Sequence, residues 1–318
     1  MAKQDKAYPL KKVIKALDDQ EACLKLIQGG LDPDTRLPNG NPLLTEMTLK
    51  GHSTVARALI ENGADINTTN DNDETALVIA VFQKYTTLAQ YMIDNGADVH
   101  KNKQILRWAV DSQNPNAVRM LLDAGAEVNV PDDKNNRTPL GWAFMKNDEA
   151  IIELLLKAGA EFSHDDQILC KAVQNKSAKI VRMLLDRGAD PNIPRPDKGR
   201  TPLGWAVATG DAEIVNMLLD AGADPNVRDM QYGDLLLEWS LFKRDDGGIT
   251  ENLVRNGADI HATSKSGEPL IQVAEQYRGK DFAKTLLAAS FSNIAQKGTS
   301  KKRKILRPST RKTRPAPQ

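Results

Sequence analysis

The chain predicts an all-α fold, a solenoid of stacked helix-turn-helix units with short β-hairpin loops between them, followed by a disordered basic tail. Three observations predict it. A Gly-Ala-acid tripeptide recurs at Gly63, Gly96, Gly125, Gly159, Gly188, Gly222 and Gly257, at spacings of 33, 29, 34, 29, 34 and 35 residues, and such a period marks stacked repeats. Apolar residues precede each glycine at i, i+3 and i+4, as in Val118, Leu121 and Leu122 or Val215, Leu218 and Leu219, which puts one stripe on one helical face. Aromatic residues make up only 5% of the chain, too few for one large aromatic-rich core.

Each element of a unit has its own signal. The glycine ends a helix because it enters the left-handed region without a Cβ penalty. Turn formers follow, Asp190 and Asn192 in one unit, Asp224 and Asn226 in the next. Then Thr138-Pro139-Leu140 or Thr201-Pro202-Leu203 opens a new helix, Thr capping free amides and Pro taking the first position, where no donor is needed. Gly30-Leu31-Asp32 extends the series 33 residues upstream of Gly63, and Gln104 to Gly159 is repeated 63 residues later as Gln167 to Gly222. A helix pair this short cannot bury its apolar face alone, so neighbours must stack. Leu122, Leu156, Leu185 and Leu219 are expected to form one continuous spine.

The strings Arg-Thr-Pro-Leu-Gly-Trp-Ala at 200–206 and Ile-Val-Asn-Met-Leu-Leu-Asp-Ala-Gly-Ala-Asp at 214–224 resemble ankyrin repeats. The resemblance covers about residues 8–290 and implies nine helix pairs, with degenerate caps at 8–30 and 269–290 and a tail over 291–318. Two departures stand out. Gly141 and Gly204 replace the histidine usual in the family's Thr-Pro-Leu-His, at a helix-propensity cost of about 1 kcal/mol against Ala. The units beginning at Gly96 and Gly159 are five residues short between helices, so Val99–Gln104 and Phe162–Gln167 should lack the projecting hairpin and leave two notches in the fingered edge.

Little is left from which to build an enzyme. Outside the repeats lie about seven N-terminal residues and the 28-residue tail, and segments below about 40 residues rarely fold without a metal or disulfide. The four histidines, His52, His100, His164 and His261, fall in separate repeats without ligand spacing, and His52 in Gly51-His52 reads as a turn residue. No Gly-rich phosphate loop or Cys-Cys pair occurs. Asp132-Asp133 and Asp245-Asp246 are expected to be solvated turn carboxylates. Cys23 and Cys170 read as small buried hydrophobes in helices. Neither a secretory signal in Met1–Gln20 nor a membrane-length apolar run is apparent. The expectation is an intracellular, monomeric protein with no cofactor and no metal, in the cytoplasm, the nucleus or both.

Candidate binding residues cluster by repeat position. Trp108, Trp142, Trp205 and Trp239 each lie two residues after the first helix's leucine anchor, and Lys171 takes that position in the intervening repeat. Residues three and four later share the stripe, namely Met145 and Lys146 after Trp142, and Phe242 and Lys243 after Trp239. In ankyrin proteins the first helices line a concave groove, so the resemblance implies a partner-binding groove of Trp108, Trp142, Lys146, Lys171, Trp205, Trp239 and Lys243. Two readings stand side by side: large residues packing against the neighbouring repeat, and Trp edges acting as binding hot spots. The loop fingers offer a second surface of mixed charge, with Asp132, Asp133, Lys134 and Arg137 in one and Arg195, Asp197, Lys198 and Arg200 in the next.

The net charge of +1 hides an asymmetry: residues 291–318 carry nine Lys or Arg and no acidic residue, leaving 34 basic against 42 acidic residues, or −8, in the rest. A tail of that composition cannot bury a core and is expected to be disordered. Lys301, Lys302, Arg303 and Lys304, extended by Arg311 and Lys312, resemble a nuclear-localisation signal. The leading reading is a non-catalytic protein-binding scaffold or adaptor with a tail that directs it to the nucleus or to an acidic surface. The alternatives are a nucleic-acid-associated protein that contacts phosphates through the tail alone, and a secreted bacterial effector acting on host proteins through its repeats.

Overall fold

Every letter of the Gly-Ala-acid tripeptide has a separate task at a helix end. Gly63, Gly125 and Gly188 have φ of 91°, 88° and 85°, a region that L side chains enter only with strain. That turn lets the following alanine amide reach back to the carbonyl four residues before the glycine, as in Ala126 N to Leu121 O at 2.9 Å and Ala189 N to Leu184 O at 3.0 Å. The alanine is thereby buried: Ala126, Ala160, Ala189 and Ala223 lie in the core. The acid's amide is held by the repeat before it, Asp98 N by Asn67 Oδ1 at 2.7 Å and Asp224 N by Asn192 Oδ1 at 2.8 Å.

The computed structural model describes residues 9–162, 167–195, 199–228, 233–242 and 247–291. They divide into two compact units, one through Ser163 and one from His164. The first unit contains α1 (Leu10–Ala16), α2 (Gln20–Gln28), α3 (Leu43–Leu49), α4 (Ser53–Glu61), α5 (Ala76–Phe82), α6 (Thr86–Asp94), α7 (Ile105–Asp111), α8 (Pro115–Asp123), α9 (Pro139–Lys146) and α10 (Glu149–Lys157). The second contains α11 (Ile168–Gln174), α12 (Ala178–Asp186), α13 (Pro202–Thr209), α14 (Ala212–Asp220), α15 (Leu236–Leu241), α16 (Ile249–Arg255), α17 (Leu270–Arg278) and α18 (280–291). Among the described residues nine pairs result, and the fold is the all-helical repeat stack that the periodicity predicts.

Within each unit the helices form two layers. First helices pack on first helices (α3, α5, α7 and α9; α11, α13, α15 and α17), and second helices on second helices (α2, α4, α6, α8 and α10; α12, α14 and α16). The caps work as expected: Thr138 and Thr201 Oγ1 each accept the amide three residues on, from Gly141 and Gly204, at 3.2 Å. His52 precedes α4 as its cap residue. Cys23 and Cys170 are buried free thiols.

The spine runs one residue earlier than expected. Leu59, Met92, Leu121 and Leu155 in the first unit, and Leu184, Leu218 and Leu253 in the second, are wholly buried. Leu156 and Leu219 are buried as well, but Leu122 and Leu185 are only half-buried. The residue four before the glycine faces the partner helix squarely, and its successor lies about 100° further round.

The loops between pairs close on short backbone links. Leu37 N reaches Asn41 O at 2.9 Å and Ser264 N reaches Glu268 O at 2.7 Å, whereas Asp132 N reaches Arg137 O at 2.9 Å and Arg195 N reaches Arg200 O at 3.0 Å, so these last two fingers are one residue longer. Pairing among the described residues is confined to isolated bridges, at Arg36 with Pro42, Thr69 with Thr75, Arg228 with Leu235 and Thr263 with Pro269. Val99–Gln104 forms successive turns without a bridge, as its shortness requires. The expected notch at Phe162–Gln167 falls largely outside the described residues.

Candidate partner-binding face

The surface of the first helices is set by repeat position, and the four tryptophans are all half-buried there. In the first unit, Phe82 of α5 meets Trp108 of α7 edge-on, with ring centroids 5.5 Å apart and planes at 89°. Arg107, one residue before that tryptophan, lays its guanidinium 4.4 Å from the Trp108 centroid and 5.2 Å from that of Trp142 in α9. Arg137 comes to 5.0 Å from the Trp142 centroid from the finger side and touches Met145 Sδ with Nη1. Lys146 Nζ lies 2.9 Å from Asp111 Oδ1.

Glycine explains how Arg137 gets there. It stands five residues before Trp142, just outside the cap, and its stem must lie across the first turn of α9. A Cβ on Gly141 would sit 2.7 Å from Arg137 Cγ, and one on Gly204 would sit 2.9 Å from Arg200 Cγ. The residue that departs from the family pattern thus clears the path of the arginine stem. The propensity loss of about 1 kcal/mol is offset by a cation–π contact of about 0.5–2 kcal/mol.

Asp132 is a correction to the expectation of a solvated turn carboxylate. It is only 6% exposed. Its Oδ2 accepts the Trp142 indole N–H at 2.7 Å, and its Oδ1 accepts the amides of Asn135 at 2.7 Å and Lys134 at 3.0 Å. Burial pushes its pKa up, but these N–H donors outweigh burial and hold the carboxyl below its ordinary 3.8. The six-residue finger needs an internal acceptor for its inward amides, and the Asp132 carboxylate supplies it. Asp133 and Lys134 remain exposed at the tip.

The second unit builds a related face from different parts. Arg200, 8% exposed, lies 4.6 Å from the centroids of both Trp205 in α13 and Trp239 in α15. The Trp239 indole donates to Asp234 Oδ2 at 3.0 Å. Phe242 and Tyr277, 51% and 53% exposed, meet edge-on at 4.9 Å. Arg195 Nη1 donates to Gln174 Oε1 at 2.8 Å, and Lys171 is half-buried on α11. Asp197, Lys198, Lys243, the Asp245-Asp246 pair and the tail residues Lys301, Lys302, Arg303, Lys304, Arg311 and Lys312 lie outside the described residues.

Arg137 and Arg200, read from sequence as finger residues, therefore turn back onto the tryptophans. Arg107 was not singled out from sequence at all. A signal was present: Arg-Thr-Pro-Leu-Gly-Trp occurs at 137–142 and again at 200–205. The reach from the residue before the cap to the one five later also recurs without arginine, as Asn41 Nδ2 to Glu46 Oε2 at 2.8 Å and Trp239 to Asp234. Among the described residues no group of three or more His, Cys, Asp or Glu is placed to hold a metal ion, and no helix is long and apolar enough to cross a membrane.

Stacked helix pairs that recur at this period define a repeat scaffold. A family model described as ankyrin repeats matches the chain in three consecutive stretches, 12–103, 100–166 and 163–229, together more than half its length, and the chain belongs to that family. Ankyrin repeats typically serve as non-catalytic binding modules. Among solved structures, the chain is similar to the ankyrin repeat domain of Bcl-3, described as a unique member of the IkappaB protein family, with 25% identity and a TM-score of 0.49 over 68% of this chain and 98% of that one. It is also similar to the human ASB11 ankyrin repeat domain, with 23% identity and a TM-score of 0.47 over 68% and 98% of the two chains. No curated protein matches at a significant level.

Proposed function

We propose that the chain is a non-catalytic adaptor that holds a segment of a partner protein against its first-helix face, with the fingers as a rim. The observation that carries this reading is that each unit has, at one repeat position, half-buried tryptophans with an arginine over their rings: Trp108 and Trp142 in the first, Trp205 and Trp239 in the second. Such rings are rigid, are already ordered before binding and have an edge to offer, which are the attributes of interface anchors. The tail, with nine basic and no acidic residues, then directs the adaptor to the nucleus through Lys301–Lys304, or to an acidic surface. The same density of charge favours a second reading, phosphate binding by the tail while the repeats recruit a partner.

A pull-down with the intact chain, a deletion of 297–318 and a Trp142→Ala/Trp205→Ala variant checked for native helicity separates these readings. Partner capture should survive the deletion and fall in the double variant. Nucleic-acid binding, if present, should fall steeply with salt and vanish with the tail. Equal recovery of the same partners by all three proteins would overturn the placement of the binding face.

A further inference from the structure

Among the described residues, the two arginines beside Trp142 lack a carboxylate partner. Among the described residues, the ring and polar contacts of Arg107 are those with the rings of Trp108 and Trp142, and its Nε is buried with no hydrogen-bond partner. Arg137 contacts the Trp142 ring and Met145 Sδ. The carboxylates nearby are committed elsewhere, Asp111 to Lys146 and Asp132 to the Trp142 indole and two amides. Three cations (Arg107, Arg137 and Lys146) thus face two carboxylates (Asp111 and Asp132), a local balance of +1. A guanidinium is a planar fork of N–H donors, and the terminal Nη groups of one that lies over a ring can still pair with a carboxylate.

We infer that the Arg107–Trp142–Arg137 cluster clamps one acidic side chain of the partner segment, while the exposed Phe82 and Met145 on either side receive its apolar neighbours. The inference rests on the proposed binding face and names the chemistry of its occupant. Phe82 and Met145 are 47% and 51% exposed and occupy the same position in α5 and α9, with α7 between them. At about 10 Å per packed helix they stand on the order of 20 Å apart, which about six extended residues span. The occupant is therefore an extended protein segment with an Asp or Glu midway between two apolar residues. One carboxylate neutralises the +1 balance, whereas a phosphate dianion would overshoot it, which favours the carboxylate.

A displayed library of random 12-residue peptides, selected on the full chain, tests this. Selection should enrich peptides with Asp or Glu flanked by apolar residues. A labelled member of that set should bind about tenfold more weakly, or worse, to Arg107→Gln/Arg137→Gln and to Trp142→Ala, as loss of a charged hydrogen bond implies. Its Glu→Gln counterpart should show the same loss on the intact chain. Enrichment of peptides without acidic residues, no enrichment, or unchanged binding to Arg107→Gln/Arg137→Gln would each overturn the clamp, as would tenfold tighter binding of a phosphoserine counterpart. If Trp142→Ala abolishes binding and the arginine variant does not, only the clamp fails. If neither variant matters, the binding face itself is misplaced.

Discussion

Residues 104–159 and 167–222 repeat one pattern 63 positions apart, and their interiors and faces have fared differently. Leu121 matches Leu184 and Leu155 matches Leu218, all four wholly buried, and Thr138 and Thr201 cap their helices at the same 3.2 Å. Arg137 and Arg200 lie over Trp142 and Trp205 in both copies. Elsewhere on the face the copies part. Arg107 and Trp108 become Cys170 and Lys171, Asp111 becomes Gln174, Asp132 becomes Arg195 and Lys146 becomes Thr209. Even Cys170 has moved inward, 1% exposed with its thiol toward the carbonyls of Ile193 and Arg200. Burial in the packed interior fixes a leucine, whereas a position on the face answers only to local contacts and to whatever binds there.

The comparison breaks most readily at the core. Leu121→Ala and Leu184→Ala should each cost about 2–5 kcal/mol, by nearly equal amounts, read from urea unfolding. A wide gap between them would mean that the two interiors are not equivalent.

The glycines should sharpen it. A methyl on Gly204 meets Arg200 Cγ at 2.9 Å and Leu236 Cδ2 at 3.5 Å, and Arg200 is buried, whereas Gly141 faces the more exposed Arg137. Overpacking of 1–3 kcal/mol less a helix gain of about 1 kcal/mol leaves Gly204→Ala destabilised by about 1 kcal/mol. Gly141→Ala should be near neutral, with Trp emission altered in both. Equal melting temperatures for the two variants would contradict the difference in arginine burial.

Asp132 distinguishes the fingers. Its pKa is depressed in the fold, so its contribution is complete above the ordinary 3.8 and is lost as pH falls through the lower folded value. Trp142 emission should report that step in acid, and Asp132→Asn should remove it and hasten protease cleavage within 132–137. An acid step that persists in the variant would point to another carboxylate. The smallest effect belongs to Lys146 with Asp111, whose side chains are about one-third exposed. Lys146→Met should cost less than about 1 kcal/mol, and a double-mutant cycle with Asp111→Asn would measure the coupling that Thr209 and Gln174 lack.

Much of the scaffold was legible in the linear chain. The glycine period, the Thr-Pro openings and the missing five residues at Val99–Gln104 each specify a backbone event within one or two turns. The candidate face was legible only in outline, since the tryptophans declared their common position but not their arginines. Arg107 reaches Trp142 and Arg200 reaches Trp239 across neighbouring helices, and no local pattern encodes such a pairing.

Periodic burial and helix-end chemistry act over a few residues, so repeat number and helix order follow from the residue string alone. Which arginine lies over which ring, why Asp132 is buried and where the leucine spine falls were settled by packing. Those outcomes depend on distances between side chains 5 to 39 positions apart, which come into being only when the helices stack.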